Sequence, residues 1–194
     1  MFQVRCHGRG GQGVVTAAEM LSVAAFREGK HAQAFPSFGS ERMGAPVVSF
    51  CRIDSKVIRM RDPIYEPDAL IIQDPTLLQA PGTFDGLKAD GYVLINTGKP
   101  LSELKIDAII ARLKPGHIMT IPGTEIAMKH IKRPLPNAVM LGGLAALSGV
   151  IKMDSVAEAI AHAFSGKIGE VNIAAAKEAF ETVAAAKKEE KIAC

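Results

Sequence analysis

The sequence predicts an α/β fold, a three-layer α/β/α sandwich with a mixed, mostly parallel sheet, one β-hairpin, and helices at the C-terminal end of the chain. Three observations favour this class. An extended run near the start passes through a glycine-rich turn into an amphipathic helix. Short, continuous apolar runs, typical of strands covered on both faces, recur in the middle of the chain. The remainder of the sequence has helical periodicity.

The composition is that of a soluble globular protein. The chain has 194 residues, of which 48% are hydrophobic and 22% charged, and a chain of this size buries about 70% of its unfolded surface. We therefore expect residues 1–194 to form a single domain. The net charge of +3 is too nearly balanced to indicate nucleic-acid binding. No window approaches the roughly 20 apolar residues of a membrane span, and no secretory signal is evident, so we expect a cytoplasmic protein without membrane contact.

The first elements are a strand, a turn and a helix. A strand is predicted over residues 2–7 and runs into Gly8-Arg9-Gly10-Gly11-Gln12-Gly13, after which apolar residues recur at helical spacing over residues 14–25. Gly29 is expected to end this helix. A second extended run over residues 30–35 follows, as a βαβ unit requires.

Further strands are predicted in the middle of the chain. Residues 47–53 and 56–60 flank Asp54-Ser55, a pattern typical of a β-hairpin, which would make the sheet mixed. Residues 101–113 are ambiguous between helix and irregular structure. Buried parallel strands are predicted over residues 68–73, 92–95 and 117–121.

Helical patterns dominate from Pro134 onward. One helix, rich in small residues, is predicted over residues 137–150. A second is predicted over residues 155–164, where Ser155 and Glu158 would form a capping box. A last, alanine-rich helix is expected over residues 168–188 and should pack on the sheet or on a partner chain.

The glycine run is the main candidate binding site. Gly8, Gly10 and Gly13 match G-x-G-x-x-G in a strand–turn–helix setting. Glycines let the backbone approach a diphosphate, whose charge then meets the unpaired amides and the positive dipole end of the helix. A tight turn that packs strand against helix without any ligand explains the same glycines and stays an alternative.

The residues after the second strand bear on which nucleotide would bind. An acidic residue about 20 positions beyond the last glycine would bind the ribose hydroxyls of NAD, and the first carboxylate here is only at Glu41. Lys30, His31 and Arg42 would instead suit an additional phosphate, as carried by NADP or by the 3′-phospho-ADP half of coenzyme A. For any one of them alone, a solvated surface charge is the favoured explanation.

A second dense segment covers residues 35–46. It reads Phe35-Pro36-Ser37-Phe38-Gly39-Ser40-Glu41-Arg42-Met43-Gly44-Ala45-Pro46. A stiff, largely apolar loop of this kind suits contact with a ligand or another subunit. A packed crossover loop is the plainer alternative.

Together the two segments resemble the gamma subunit of pyruvate:ferredoxin oxidoreductases and their 2-oxoacid relatives. The resemblance extends across nearly the whole chain, including the Asp74-Pro75 step and residues 123–127 and 137–143. The second segment is similar to that of the pyruvate or branched-chain oxoacid type.

The resemblance implies a CoA-dependent oxidative decarboxylation of a 2-oxoacid, with pyruvate favoured, that yields acyl-CoA, carbon dioxide and electrons for ferredoxin. It implies that thiamine diphosphate, magnesium and the [4Fe-4S] clusters lie in partner alpha, beta and delta subunits. This chain would then be inactive alone, and it would hold or gate coenzyme A and help to assemble the complex.

The site residues follow from the glycine motif and the resemblance together. Parallel strands that end near Gly8, Asp74, Asn96 and Gly123 would place these residues on one rim of the sheet, where ligands bind in open α/β folds. No metal ligand is expected, because the cysteines and histidines show no ligand spacing. No catalytic residue is expected either, because Cys6 and His7 are adjacent on a strand and point to opposite faces. The candidate ligand-binding residues are Gly8, Arg9, Gly10, Gly11, Gln12, Gly13, Ser37, Arg42, Asn96 and Thr97.

Two other functions stay open on the residues alone. A stand-alone NADP-dependent Rossmann-type reductase fits the glycine fingerprint and the basic residues after the second strand. A nucleotide-sensing or purely structural α/β module fits the same pattern without any catalysis.

Overall fold

The computed structural model describes residues 1–37 and 43–193. The strands in this part of the chain are β1 Phe2–Arg9, β2 His31–Pro36, β3 Pro46–Asp54, β4 Ala69–Ile72, β5 Tyr92–Asn96 and β6 Ile118–Ile121. The helices are α1 Val14–Arg27, α2 Asp107–Ile110, α3 Gly123–His130, α4 Asn137–Ser148, α5 Met153–Ala163 and α6 Gly166–Ala193, with 3₁₀ segments at Pro75–Gln79 and Leu101–Glu103. None of the helices described is both long and apolar enough to cross a bilayer.

The strands form one mixed sheet in the order β2-β3-β1-β4-β5-β6. Strands β1, β4, β5 and β6 pair in parallel, whereas β3 is antiparallel to both β1 and β2. Strand β2 therefore runs parallel to β1 with β3 between them, and the β1–α1–β2 crossover spans one intervening strand. The predicted mixed, mostly parallel sheet is confirmed.

Side chains alternate between the two faces of this sheet. In β4, Ala69 and Ile71 join the larger core beneath helices α1, α3, α4, α5 and α6. Leu70 and Ile72 point the other way, into a smaller core covered by the 3₁₀ segments and α2. The sheet thus lies between two apolar layers, as a three-layer sandwich requires.

The hairpin predicted at residues 47–60 is wrong in its second strand. Residues 47–53 do form β3, but β3 pairs with β2 on one side and β1 on the other. Both hydrogen-bonding edges of β3 are therefore occupied, and residues 56–60 have no strand to pair with. The consecutive antiparallel pair in the sheet is β2 with β3.

The capping box predicted at Ser155 is also wrong. Helix α5 begins at Met153, so Ser155 lies within its first turn and is buried. The N-terminal end of α5 is instead capped by a residue far away in sequence: the backbone N–H of Lys152 donates to Oε1 of Glu28 at 2.6 Å. A carboxylate near a helix N-terminus also interacts favourably with the helix dipole.

Three helical segments depart from the sequence expectation. Helix α3 follows β6 almost directly, although no helix was predicted over residues 123–130. The ambiguous residues 101–113 contain a 3₁₀ segment and the short helix α2. Helix α6 is longer at both ends than the predicted residues 168–188.

Candidate functional site

The two segments that the sequence singled out meet at the end of β1. The N–H of Gly10 donates to the carbonyl of Ala45 at 2.9 Å, and the N–H of Gly44 donates to the carbonyl of Gly10 at 3.1 Å. The glycine loop, residues 8–13, is therefore tied to the chain that enters β3. Residues 38–42, including the predicted ligand residue Arg42, lie outside the described residues.

The backbone of the glycine loop requires glycine at two positions. Gly11 has φ of 94° and Gly13 has φ of 72°, both in the left-handed region that other residues rarely adopt. Gly13 is the N-cap of α1 and supplies no side-chain cap, and the first turn of α1 carries no acidic residue. The first amides of a helix lack intrahelical acceptors, so this end of α1 is suited to an anion.

Gly8 has a different role. A Cβ atom at this position would lie 2.6 Å from Cγ2 of Val14. The absence of a side chain therefore lets β1 pack closely against the start of α1. The packing explanation of the glycine motif holds for this position.

Arg9 and Gln12 hold the loop in shape. The N–H of Arg9 donates to Oε1 of Gln12 at 2.8 Å, and Nε2 of Gln12 donates to Oδ2 of Asp74 at 2.9 Å. The guanidinium of Arg9 lies 3.3 Å from the same Asp74 oxygen and donates to Oγ1 of Thr76 at 2.7 Å. Both side chains are thus engaged with the end of β4, next to the candidate site.

Asp74 is the centre of this network and carries a negative charge. Burial by itself would raise the pKa of Asp74. Hydrogen bonds from Thr76 and Gln12, together with the charge of Arg9, outweigh burial and hold the pKa below its usual range. The loop is therefore fastened to an ionised carboxylate.

A cavity of about 700 Å³ opens at the glycine loop and the first turn of α1, and we call it the large cavity. Its volume lies within the range of about 300–1,000 Å³ that is usual for ligand pockets. Arg9 and Arg133 contribute the positive charge, and none of the described residues that line it is acidic. Its apolar wall comprises Val47, Ile131, Leu135, Phe164, Ile168 and Val171.

Asn137 closes the polar end of the large cavity. It begins α4, is buried, and its Oδ1 accepts from the N–H of Ala138 at 3.0 Å. Its Nδ2 lies beside Gly13, at 2.5 Å from the position that a Cβ there would occupy. The site therefore places a side-chain amide next to the backbone amides of the first turn of α1.

A second cavity, of about 260 Å³, lies on the rim of the sheet, and we call it the small cavity. Gln12, Asn96 and Thr97 all line it. The amide of Asn96 is fully engaged: Nδ2 donates to the carbonyl of Gln73 and to Oγ1 of Thr124, each at 2.8 Å, and Oδ1 accepts from the N–H of Thr124 at 3.0 Å. Asn96 thus ties the ends of β4 and β5 to the start of α3.

Gln73 stands out in the small cavity. It is completely buried, and neither its Oε1 nor its Nε2 has a hydrogen-bond partner. Unpartnered buried amides are rare because each lost hydrogen bond costs about 1–3 kcal/mol. The rim of the sheet therefore holds polar groups with unused bonding capacity, on a residue that the sequence analysis did not single out.

The structure separates the remaining candidate, Ser37, from this group. Ser37 is exposed just beyond the end of β2, and its N–H donates to the carbonyl of Val48 at 2.8 Å. It lines neither the large nor the small cavity.

Several lining residues escaped the sequence analysis. Asn137 had one usable signal, because it is the polar residue that opens an otherwise apolar, buried helix. Arg133, between α3 and α4, and Phe164, at the corner between α5 and α6, had no such signal in the sequence. Only the packing of the helices brings these residues to the glycine loop.

The described residues contain no group of three or more histidine, cysteine, aspartate or glutamate side chains that could hold a metal ion. Burial raises the pKa of Cys6 to about 12, and it also raises the pKa of Cys51. Burial, followed by the charge of Arg5, lowers the pKa of His7 to about 4. These thiols and this imidazole are therefore neutral at pH 7.

Residues 3–182 match the family model described as pyruvate ferredoxin/flavodoxin oxidoreductase. The pyruvate/ketoisovalerate oxidoreductases common subunit gamma of Pyrococcus furiosus is 48% identical over 183 residues, covering 93% of this chain and 96% of that protein.

Two solved structures are similar. The pyruvate oxidoreductase subunit PORC from Thermotoga maritima is 34% identical with a TM-score of 0.78, covering 93% of this chain and 95% of that one. The 2-oxoglutarate:ferredoxin oxidoreductase from Magnetococcus marinus, solved with 2-oxoglutarate, coenzyme A and succinyl-CoA bound, shares the fold at 19% identity and a TM-score of 0.68. The match covers 95% of this chain and 31% of the Magnetococcus chain.

Proposed function

This chain belongs to the pyruvate ferredoxin/flavodoxin oxidoreductase family, as a gamma (PorC) subunit of a 2-oxoacid:ferredoxin oxidoreductase, and we propose that its part in the enzyme is to bind coenzyme A. Pyruvate is the favoured oxoacid, since the Thermotoga relative at 34% identity is named for pyruvate alone and the Pyrococcus relative at 48% identity for pyruvate together with ketoisovalerate. The complex would convert pyruvate and coenzyme A to acetyl-CoA and carbon dioxide in the cytoplasm and pass the electrons to ferredoxin.

In this proposal the redox chemistry belongs to other chains. Thiamine diphosphate, magnesium and the [4Fe-4S] clusters would lie in alpha, beta and delta subunits, and residues 1–194 would act as one gamma domain that is inactive alone. The chain's own residues would bind and orient the thioester-forming cosubstrate. The alternative of a stand-alone NADP-dependent reductase has no support from the family match.

The observation that carries the proposal is the large cavity at the start of α1. Its polar end combines the glycine loop, the first-turn amides of α1 and the side-chain amide of Asn137. Such an end is suited to the diphosphate of coenzyme A, because backbone amides can approach it closely and the helix dipole favours negative charge.

The rest of the cavity suits the remainder of the cosubstrate. Arg133 is exposed at its mouth and can pair with a phosphate, whereas Phe164, Ile168 and Val171 offer an apolar wall. The adenine ring or the pantetheine arm would lie against that wall. An oxidoreductase of the same fold has been solved with coenzyme A bound, which supports the choice of this cosubstrate.

The proposal is tested with Arg133→Glu in the assembled complex. The substitution reverses one of the two cationic side chains that line the large cavity among the described residues. The KM for coenzyme A should therefore rise at least tenfold, which corresponds to about 1.4 kcal/mol. Arg61→Glu is the matched control, because Arg61 is also exposed and does not line the cavity.

A KM that stays unchanged in Arg133→Glu would place coenzyme A elsewhere. An equal rise in both variants would assign the effect to net charge rather than to the cavity.

A further inference from the structure

Strand β2 forms an open edge of the sheet. It is the terminal strand of the order and pairs only with β3 among the described residues. A strand at an open edge presents unpaired N–H and C=O groups to any strand that can align with it.

The register shows which groups point outward. Ser37 donates its N–H to the carbonyl of Val48, which lies opposite it in the β2–β3 register, so the groups of Ser37 face β3. Inward and outward bonding alternates along an antiparallel strand. Phe35 and Gln33 therefore also bond to β3, whereas Ala32 and Ala34 direct both N–H and C=O to the open edge.

The two ends of the strand limit this edge. Pro36 would be the next outward residue, but proline has no N–H. At the other end, the N–H of Lys30 is already donated to the carbonyl of Ala25 at 3.1 Å. The N–H donors that the strand itself offers at the edge are thus those of Ala32 and Ala34.

Apart from Pro36 at its far end, the edge lacks the usual protection against pairing. Natural edge strands are commonly shielded by lysines, inward-pointing charges or bulges. The sequence His31-Ala32-Gln33-Ala34-Phe35-Pro36 contains no lysine, arginine, aspartate or glutamate, and β2 pairs with β3 in continuous register without a bulge. The small alanine side chains also leave the backbone accessible.

The residue between the two alanines carries an unsatisfied group. Oε1 of Gln33 is buried and has no hydrogen-bond partner, and the same holds for Nη1 of Arg52, its neighbour across the ladder. The two residues are cross-strand neighbours, but both atoms are covered by the chain itself, so the groups available at the edge are those of the β2 backbone.

We propose that β2 pairs antiparallel with β2 of a second copy of this chain, around a two-fold axis at Gln33. In this register Ala32 of one copy faces Ala34 of the other, so each copy donates two hydrogen bonds and every edge donor finds an acceptor. The two Gln33 residues face each other across the axis as a non-hydrogen-bonded pair.

The second copy is favoured because the edge is complementary to itself. Its donors and acceptors are symmetric about Gln33, which is what an isologous two-fold interface requires. Two uncharged strands approach without electrostatic repulsion. The inference does not depend on coenzyme A binding.

The first test measures the oligomeric state of the purified full-length chain by sedimentation velocity. Ala34→Pro removes an outward donor but no hydrogen bond to β3, and proline is tolerated where the N–H faces away from the ladder. Two lost hydrogen bonds should weaken dimerisation about 30-fold. Ala34→Ser, which keeps the N–H, is the control and should stay dimeric.

The second test does not depend on the stability of the proline variant. Gln33→Cys, in a Cys194→Ser background, places two thiols across the axis at a non-hydrogen-bonded pair with a Cα separation of about 4.5 Å, within disulfide range. It should form a covalent dimer on mild oxidation. Phe35→Cys is the control: its two copies would be more than about 13 Å apart and should not cross-link.

The same cross-linking is repeated in the assembled complex, with hydrogen exchange measured on residues 30–37. Protection of the Ala32 and Ala34 amides together with the Gln33→Cys cross-link supports the proposal. Protection without the cross-link would show that another subunit covers the edge and would overturn it. A chain that is monomeric and unprotected in both preparations would overturn it as well.

Discussion

Gly13 and Asn137 join the first helix to the fourth with almost no space between them. A Cβ atom on Gly13 would lie 2.5 Å from Nδ2 of Asn137. The residue that caps α1 must therefore be glycine for two reasons, its left-handed backbone and the asparagine beside it. Gly29 has nearly the same φ, 73°, but nothing lies within 4 Å of its Cβ position.

Alanine substitutions at Gly13 and Gly29 distinguish the cost of backbone strain from the cost of steric crowding. Gly29→Ala should cost about 1 kcal/mol of unfolding free energy, because alanine disfavours positive φ. Gly13→Ala should cost about 1–3 kcal/mol more, since the side chain of Asn137 must shift. Urea unfolding of both variants measures the difference. Equal losses would mean that the contact with Asn137 is not restrictive.

Glu28 makes stability depend on acid pH. Burial alone would raise the pKa of Glu28, but hydrogen bonds from the Lys152 backbone and from Lys30 and Ser155, together with the Lys30 charge, hold the pKa below its usual value. A carboxylate whose pKa is lower in the folded state stabilises the protein above the unfolded pKa of about 4.3. That contribution is lost as the pH falls through the folded pKa.

Glu28→Gln should therefore lower stability near pH 7 by about 1 kcal/mol, as loss of a helix cap does. The difference should shrink as the pH falls through the lowered pKa of Glu28, because the wild-type carboxyl then becomes protonated. Thermal unfolding from pH 7 to pH 3 follows both proteins, with Glu158→Gln as the control at an exposed position. A constant difference across this range would contradict the assignment to Glu28.

Gln12 is expected to matter for the loop rather than for direct ligand contact. Gln12→Leu would leave the N–H of Arg9 and the carboxylate of Asp74 without their shared partner, at a cost of about 1–2 kcal/mol. Urea unfolding measures this loss. Gln79→Leu is the control, since Gln79 makes only long contacts of 3.3 and 3.4 Å to backbone carbonyls.

The loop variant should also raise the KM for coenzyme A in the assembled complex, because the glycine loop would no longer be held to β4. A loss of stability with an unchanged KM would show that the shape of the loop does not set affinity.

Cys6 and Cys51 should resist alkylation in the native chain. With the pKa of Cys6 raised to about 12, the thiolate is about one part in ten thousand at pH 8, and both side chains are fully buried. Iodoacetamide labelling followed by mass spectrometry should find these two cysteines modified only in denaturant. Labelling in the native state would indicate that the strands β1 and β3 open readily.

Much of this architecture could be predicted from local patterns. The apolar run at residues 92–95 matches β5 closely, because a strand buried on both faces consists of consecutive apolar residues. The turn at Gly29 follows α1, because its positive φ favours glycine. The glycine loop at the start of α1 was likewise visible in the spacing of residues 8–13.

The two wrong predictions, the strand at residues 56–60 and the capping box at Ser155, share one cause. Residues 56–60 have the composition of a strand, but β3 has no free edge for them. Ser155 has the right neighbours for a capping box, but Glu28 reaches the helix end from more than a hundred residues away in the chain. In both cases the structure of the segment depends on which residues, distant in sequence, lie next to it in the folded chain. The local spacing of residues does not contain that information.

The amino-acid order by itself determined the elements, the glycine-lined helix start and the family resemblance, since each depends on residues that are neighbours along the chain. Only the tertiary structure decided that Asn137 and Arg133 stand at that helix start, that Arg9 and Gln12 are engaged with Asp74, and that β2 keeps an open edge. These arrangements arise from packing between segments far apart in sequence, where burial and hydrogen-bond satisfaction must be met by the whole fold at once.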